Sequence, residues 1–133
     1  MSQENVELVR DMWDAFQRGD VAWMAARCTD DLVIVQPRDV PDARRYTGPT
    51  ALAEMLADWP MEWEDFKAEL TEISELRDGV VLSVSRNAGK GRTSGIAVEI
   101  QVFYVHHLRE GKMARLEMFI DRSDALKAVG LEE

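Results

Sequence analysis

Apolar residues recur at Val6, Val9, Met12, Trp13 and Phe16, spaced three and four apart, which predicts an amphipathic helix from Asn5 to Arg18. Gly19 stands where a left-handed residue ends a helix, and Asp20 is placed to cap a second, shorter one carrying Trp23, Met24 and Ala25. Thr29-Asp30-Asp31 breaks that helix, and Leu32 to Gln36 reads as a short β run ended by Pro37. Arg38 to Thr47, of mixed charge with proline breaks, reads as a loop. Gly48-Pro49-Thr50 opens a third helix with Leu52, Met55, Leu56 and Trp59 inward and Pro60 as its stop. Strands follow from Glu62 to Leu76 and, after an Asp78-Gly79 turn, from Val80 to Ala88; a hairpin then spans Ile96 to Asp121. Asp121 and Asp124 cap a last helix through Leu126 and Val129, closed by Gly130. The order ααβαββββα describes an α+β domain whose helices pack on one face of a curved, mostly antiparallel sheet.

The hairpin is the most explicit stretch. Glu110-Gly111 at its tip suits a two-residue turn with positive φ, so an unbroken register sets Leu108 opposite Met113, His106 opposite Arg115, Tyr104 opposite Glu117 and Phe103 opposite Met118. One face then holds Glu99, Gln101, Phe103, Val105, Leu116, Met118 and Ile120, and is assigned to the core. The other holds Val102, Tyr104, His106, Arg115, Glu117 and Phe119, too apolar for plain surface.

Composition narrows the partners. One domain accommodates all 133 residues, with 46% hydrophobic and 31% charged positions. A net charge of −9 argues against binding nucleic acid through phosphate neutralisation. No apolar run reaches membrane-spanning length, and the N-terminus lacks the features of a signal peptide, so a cytoplasmic protein without membrane attachment is expected. Arg86 to Arg92 (RNAGKGR) reads as a glycine-rich solvated loop rather than a phosphate cradle. Cys28 reads as a small buried apolar side chain, and adjacent His106 and His107 face opposite ways, which argues against a metal site. No cofactor is expected.

The strings AFQRGD, TDDLVIVQP, YTGPTALAEML and LREGKMARLEMFIDRSDALKAVGL, in this order and spacing, resemble the SnoaL-like branch of the nuclear transport factor two-like superfamily over nearly the whole chain. The resemblance implies a cone-shaped sheet, mixed or antiparallel, wrapped around an N-terminal helix group with an internal pocket. It also implies a homodimer through the convex sheet face, a role that Val102, Tyr104, His106, Arg115 and Phe119 fit. Similar folds serve ketosteroid isomerase, polyketide cyclases, limonene epoxide hydrolase, scytalone dehydratase and non-catalytic binders, so the fold leaves the activity open. Where the isomerase pattern needs a base, a neutral acid and a phenol, this chain has Gln36, Phe103 and, near the third position, Met12. Met118 stands where the epoxide hydrolase pattern has an acid, whereas the late acid of the polyketide cyclases corresponds to Asp121 if the strand is shifted.

The expected pocket is lined by Trp13, Phe16, Trp23, Trp59, Phe103 and Met118, with Tyr46 at its mouth, and takes a small apolar molecule. Alternation sends Arg86 inward with Leu82 and Val84, toward Glu99 and Gln101; with Gln36 these form the candidate polar patch. Glu99 and Arg86 are the candidate catalytic pair, with a structural ion pair as the alternative. Asp121 is a third candidate whose alternative role is to cap the final helix, and His107 a candidate proton shuttle at the rim. The loop bearing Arg38, Asp39, Asp42, Arg44 and Arg45 reads as a lid or as solvated chain. The functional expectation is an acid–base enzyme (isomerase, cyclase or hydrolase) acting on a cyclic or polyketide-like carbonyl compound. The alternative is a non-catalytic ligand-binding or protein-interaction module.

Overall fold

The computed structural model describes residues 3–37 and 43–131, with the backbone alone for residues 59–62. The proposed lid residues Arg38, Asp39 and Asp42, and the side chain of Trp59, lie outside the described residues. The elements are α1 (Gln3–Arg18), α2 (Val21–Ala26), β1 (Cys28–Val35), β2 (Arg45–Thr47), α3 (Ala51–Glu62), β3 (Trp63–Arg77), β4 (Val80–Gly91), β5 (Ala97–Arg109), β6 (Lys112–Phe119) and α4 (Arg122–Ala128).

Local chemistry places most element ends where the sequence predicts them. Gly19 turns left-handed at φ 73° after α1, and the Asp20 side chain accepts the Trp23 amide to start α2. Asp121 starts α4 by accepting the amides of Ser123 at 2.8 Å and Asp124 at 3.4 Å. Three expectations need correction. Thr29-Asp30-Asp31 does not precede β1 but belongs to it, because β6 supplies partners this early: Met113 donates its amide to the Arg27 carbonyl, and Cys28 pairs with Met113. The loop before Thr47 contains β2, an edge strand of three residues held against Val33–Val35 and too short to show alternation. The third helix runs through Pro60 to Glu62, since a proline near a helix end removes one backbone bond without blocking the final turn.

The six strands form one sheet in the order β2-β1-β6-β5-β4-β3, with β1 and β6 parallel and every other neighbouring pair antiparallel. The stretch expected to be a loop after Arg86 is mostly strand, since β4 pairs with both β3 and β5 as far as Lys90.

The hairpin register is unbroken only beside the turn. Leu108 faces Met113 as predicted, but the next pair is His107 with Arg115, so Ala114 is the extra residue of a β-bulge. Beyond it every partner is displaced by one: His106 faces Leu116, Tyr104 faces Met118 and Phe103 faces Phe119. Because side chains alternate, this exchanges the faces. Val102, Tyr104 and His106 share the inner face with Met113, Leu116 and Met118, against which α1, α2 and α3 pack. Phe103 and Val105 join Leu82 and Val84 in a second core on the outer face, under Ala125 of α4 and Val129, which caps that helix.

The hairpin tip carries a removable cost. Glu110 sits at φ 51° and Gly111 at φ 76°, a pair of left-handed positions that suits Asn-Gly better than Glu-Gly. Replacing exposed Glu110 by Asn is expected to raise stability by about 0.5–1 kcal/mol, read as a higher urea midpoint with unchanged slope.

Candidate functional site

A cavity of about 60 Å³ lies between the inner sheet face and helices α1–α3. Its walls are mostly apolar, and five of the seven methionines in the chain line it: Met12, Met24, Met55, Met113 and Met118. Trp13 and Phe16 come from α1, whose amphipathic stripe delivers them. The Trp13 ring meets Phe16 edge-on at 5.8 Å and Tyr104 edge-on at 5.2 Å. The polar side chains on the wall are Tyr104 and His106, both buried.

Each is tied to a polar row on β4. Ser83, Ser85 and Asn87 alternate with Leu82, Val84 and Arg86 of that strand, are all buried, and pair with Tyr104, Val102 and Ile100 across the sheet. The Ser85 hydroxyl donates to the side-chain oxygen Oδ1 of Asn87 at 2.6 Å. With that proton committed, the Tyr104 hydroxyl donates to Ser85 Oγ at 3.1 Å and accepts from Asn87 Nδ2 at 3.2 Å. Burial pushes the Tyr104 phenol up, against the opposing effect of these contacts with Ser85 and Asn87.

His106 heads a second chain of contacts. The Trp13 indole donates to Ser83 Oγ at 3.1 Å, and Ser83 Oγ lies 2.8 Å from His106 Nε2. An indole N–H can only donate, and His106 Nε2 is the other side-chain partner of the Ser83 hydroxyl; we therefore assign the Ser83 proton to Nε2 and the imidazole proton to Nδ1, 3.5 Å from the Met113 thioether sulfur. Burial, helped by the neighbouring His107, pushes the His106 pKa down to about 3, so the ring is neutral near pH 7.

The predicted polar patch is not in this cavity. Arg86, Glu99 and Gln101 are exposed, and Arg86 pairs with Glu69 on β3. Arg86 does share a face with Leu82 and Val84, as alternation requires. That face is the outer one, greasy because α4 covers part of it. Phe103 belongs to this outer core, with the Arg122 guanidinium 5.2 Å above its ring. Gln36 uses its side-chain oxygen to accept the Arg44 amide at 3.0 Å, closing the β1–β2 connection. Tyr46 is buried and donates to Asp58 on α3 at 2.7 Å, where Arg44 also pairs at 2.8 Å, so it clasps β2 to α3. Trp23 packs against the inner core beneath the Arg27 guanidinium. Asp121 is an exposed helix cap. Of the expected lining residues, Trp13, Phe16 and Met118 do line the cavity.

The two histidines exchange roles. His107, expected inside at the rim, points outward, its Nε2 3.1 Å from Glu117. His106, expected at a dimer interface, is in the cavity wall. Val102, Tyr104 and His106 are buried beneath the helices and cannot form an outer contact surface; Arg115 and Phe119 are the members of that set on the outer face. Cys28 keeps a structural role: its thiol donates to the Met24 carbonyl at 3.3 Å, and burial pushes its pKa up to about 11.

A search of curated proteins finds no match. Among solved structures the chain is similar to a nuclear transport factor two-like protein from Burkholderia thailandensis, with TM-score 0.80 and 23% identity over 97% of this chain and 98% of that one. A nuclear transport factor two-like protein from Burkholderia xenovorans aligns with TM-score 0.78 and 25% identity over 91% and 92% of the two chains. TerC, co-crystallised with polyporic acid, aligns with TM-score 0.75 and 17% identity over 94% and 97%. The family profile described as a SnoaL-like domain matches residues 9–116. Together with the helix-filled, curved mixed sheet, that match makes this chain a member of the SnoaL-like domain family.

Proposed function

We propose that this protein binds a small, largely apolar molecule in the cavity between α1–α3 and the inner sheet face. The observation that carries the reading is the wall itself: five methionines and several aromatic rings surround a space bordered by two neutral polar groups. At about 60 Å³ the cavity is smaller than the roughly 150 Å³ that an apolar cavity offers benzene. A ring-sized ligand therefore has to displace wall atoms. Methionine, unbranched and with three rotatable bonds beyond the backbone, yields at little cost. The co-crystallisation of TerC with polyporic acid, on the same fold, is consistent with such a pocket.

The wall favours binding over acid–base turnover. Among the described residues no carboxylate lines the cavity; Glu99 and Arg86 are exposed and border a separate groove, beside Phe16 and Ala68. A second reading, proton transfer to or from a cyclic carbonyl compound, rests on the Ser83–His106 contact of 2.8 Å. It would run on His106, whose low basicity makes it a weak base.

The test is a titration with small cyclic hydrocarbons and ketones, followed through the labelled methyl groups of the methionines. Saturable shifts are expected at Met12, Met24, Met55, Met113 and Met118. Ala68, a small wall residue from β3, replaced by Phe should fill the space and weaken binding at least tenfold. Methionine signals that stay still across the whole panel would remove the basis for the proposal.

A further inference from the structure

The two polar groups in the cavity wall differ in how well they are satisfied. Tyr104 both donates and accepts, through Ser85 and Asn87 at 3.1 and 3.2 Å. His106 is well partnered at Nε2, where Ser83 lies 2.8 Å away. Among the described residues its Nδ1–H has only the Met113 sulfur at 3.5 Å, and a thioether is a weak acceptor. Both His106 and Met113 line the cavity, so this donor is covered by a side chain that can move.

Building on the proposed binding site, we infer that His106 Nδ1–H is its polar recognition point, donating to the single carbonyl-type oxygen of an otherwise apolar cyclic ligand once Met113 swings aside. The surrounding chemistry selects that oxygen. An ionised carboxylate would enter an apolar space whose described wall holds no Lys or Arg, at the cost of burying an unpaired charge. A ligand hydroxyl oxygen would accept from His106 Nδ1–H but would leave its own proton without a good acceptor, since Ser83 and Tyr104 are engaged with protein partners. A ketone oxygen needs one donor, and one donor is provided.

The experiment uses cyclopentanone and methylenecyclopentane, matched in shape and differing in the acceptor, on wild-type protein and on the Met113→Leu and His106→Phe variants. Cyclopentanone should shift the His106 Nδ1–H resonance, and methylenecyclopentane should not. Met113→Leu removes the competing sulfur while nearly keeping the volume, and should raise the ratio of cyclopentanone to methylenecyclopentane affinity about 3- to 10-fold. His106→Phe should lower that ratio by a similar factor. An Nδ1–H resonance indifferent to the ketone, or Met113→Leu changing both affinities equally, overturns the inference while leaving the cavity as a binding site. If neither compound moves the methionine methyl groups, the binding site itself fails and the inference falls with it. Should His106→Phe not fold, the resonance and the Met113→Leu variant decide the matter.

Discussion

Between pH 7 and pH 5 the wild-type protein should lose about 2 kcal/mol of unfolding free energy that a His106→Phe variant retains. The cause is the placement of His106 in the wall of an apolar cavity, where burial holds its pKa down to about 3. In the unfolded chain the same ring titrates near 6.5. Above pH 6.5 both states carry a neutral imidazole and the group adds no pH dependence. Below it the unfolded chain takes up a proton that the folded protein refuses, so stability falls with pH until the folded ring also protonates near pH 3. The titratable neighbour that adds to the effect is His107 on the same strand; the described cavity walls from α1, α2 and α3 bring no charged side chain toward the ring. Asp31 and Glu72, whose acidities are raised by Arg109 and Arg122, also lose stabilisation in acid. They are present in both proteins and cancel in the difference. Urea unfolding of the pair at pH 7, 6 and 5 measures it directly, and superimposable pH profiles would show that the ring is not held neutral.

What the sequence disclosed follows the range over which each feature is determined. Gly19, Asp20, the Asp78-Gly79 turn, Glu110-Gly111 and the Asp121 cap are set by atoms a few residues away, and each appears where the pattern puts it. The face of the sheet that meets the pocket is set at longer range. Alternation identifies a face by its hydrophobicity only when the other face meets water. Here both are covered over much of β4 and β5, the inner by α1–α3 and the outer by α4. Leu82 and Val84 therefore looked like the inner set, when the inner face is that of Ser83, Ser85 and Asn87. One signal was present. Met113, Leu116 and Met118 are spaced three and then two apart, and that irregular step marks the bulge at Ala114. Placing Met113, Leu116 and Met118 together would have carried Tyr104 and His106 inward with them. Met118 was expected to line the pocket, but the paired register that accompanied it was displaced by one residue.

The coverage of the outer face has the largest stability consequence. Replacing Ala125 by Glu should lower stability by about 3–5 kcal/mol, while replacing Ala128, three residues later on the same helix, by Glu should change it by no more than about 0.5 kcal/mol. Both variants add one negative charge to a helix of seven residues, so net charge and helix propensity are nearly matched. The difference lies in what the side chains meet. Ala125 is fully buried against Leu82, Val84, Phe103 and Val105, whereas Ala128 is exposed. A carboxylate at 125 must either ionise in an apolar contact or take up a proton against its solution preference, and its extra volume pushes α4 from the sheet. For a chain of this length the loss corresponds to roughly 10–20 °C in melting temperature. Raising the acidity should recover part of it in the Ala125 variant alone, because protonation removes the buried charge. Equal melting temperatures for the two variants would mean that α4 does not seal the outer sheet face. Leu82 and Val84 would then be available as a surface, and the assignment of the pocket to the opposite face would lose its support.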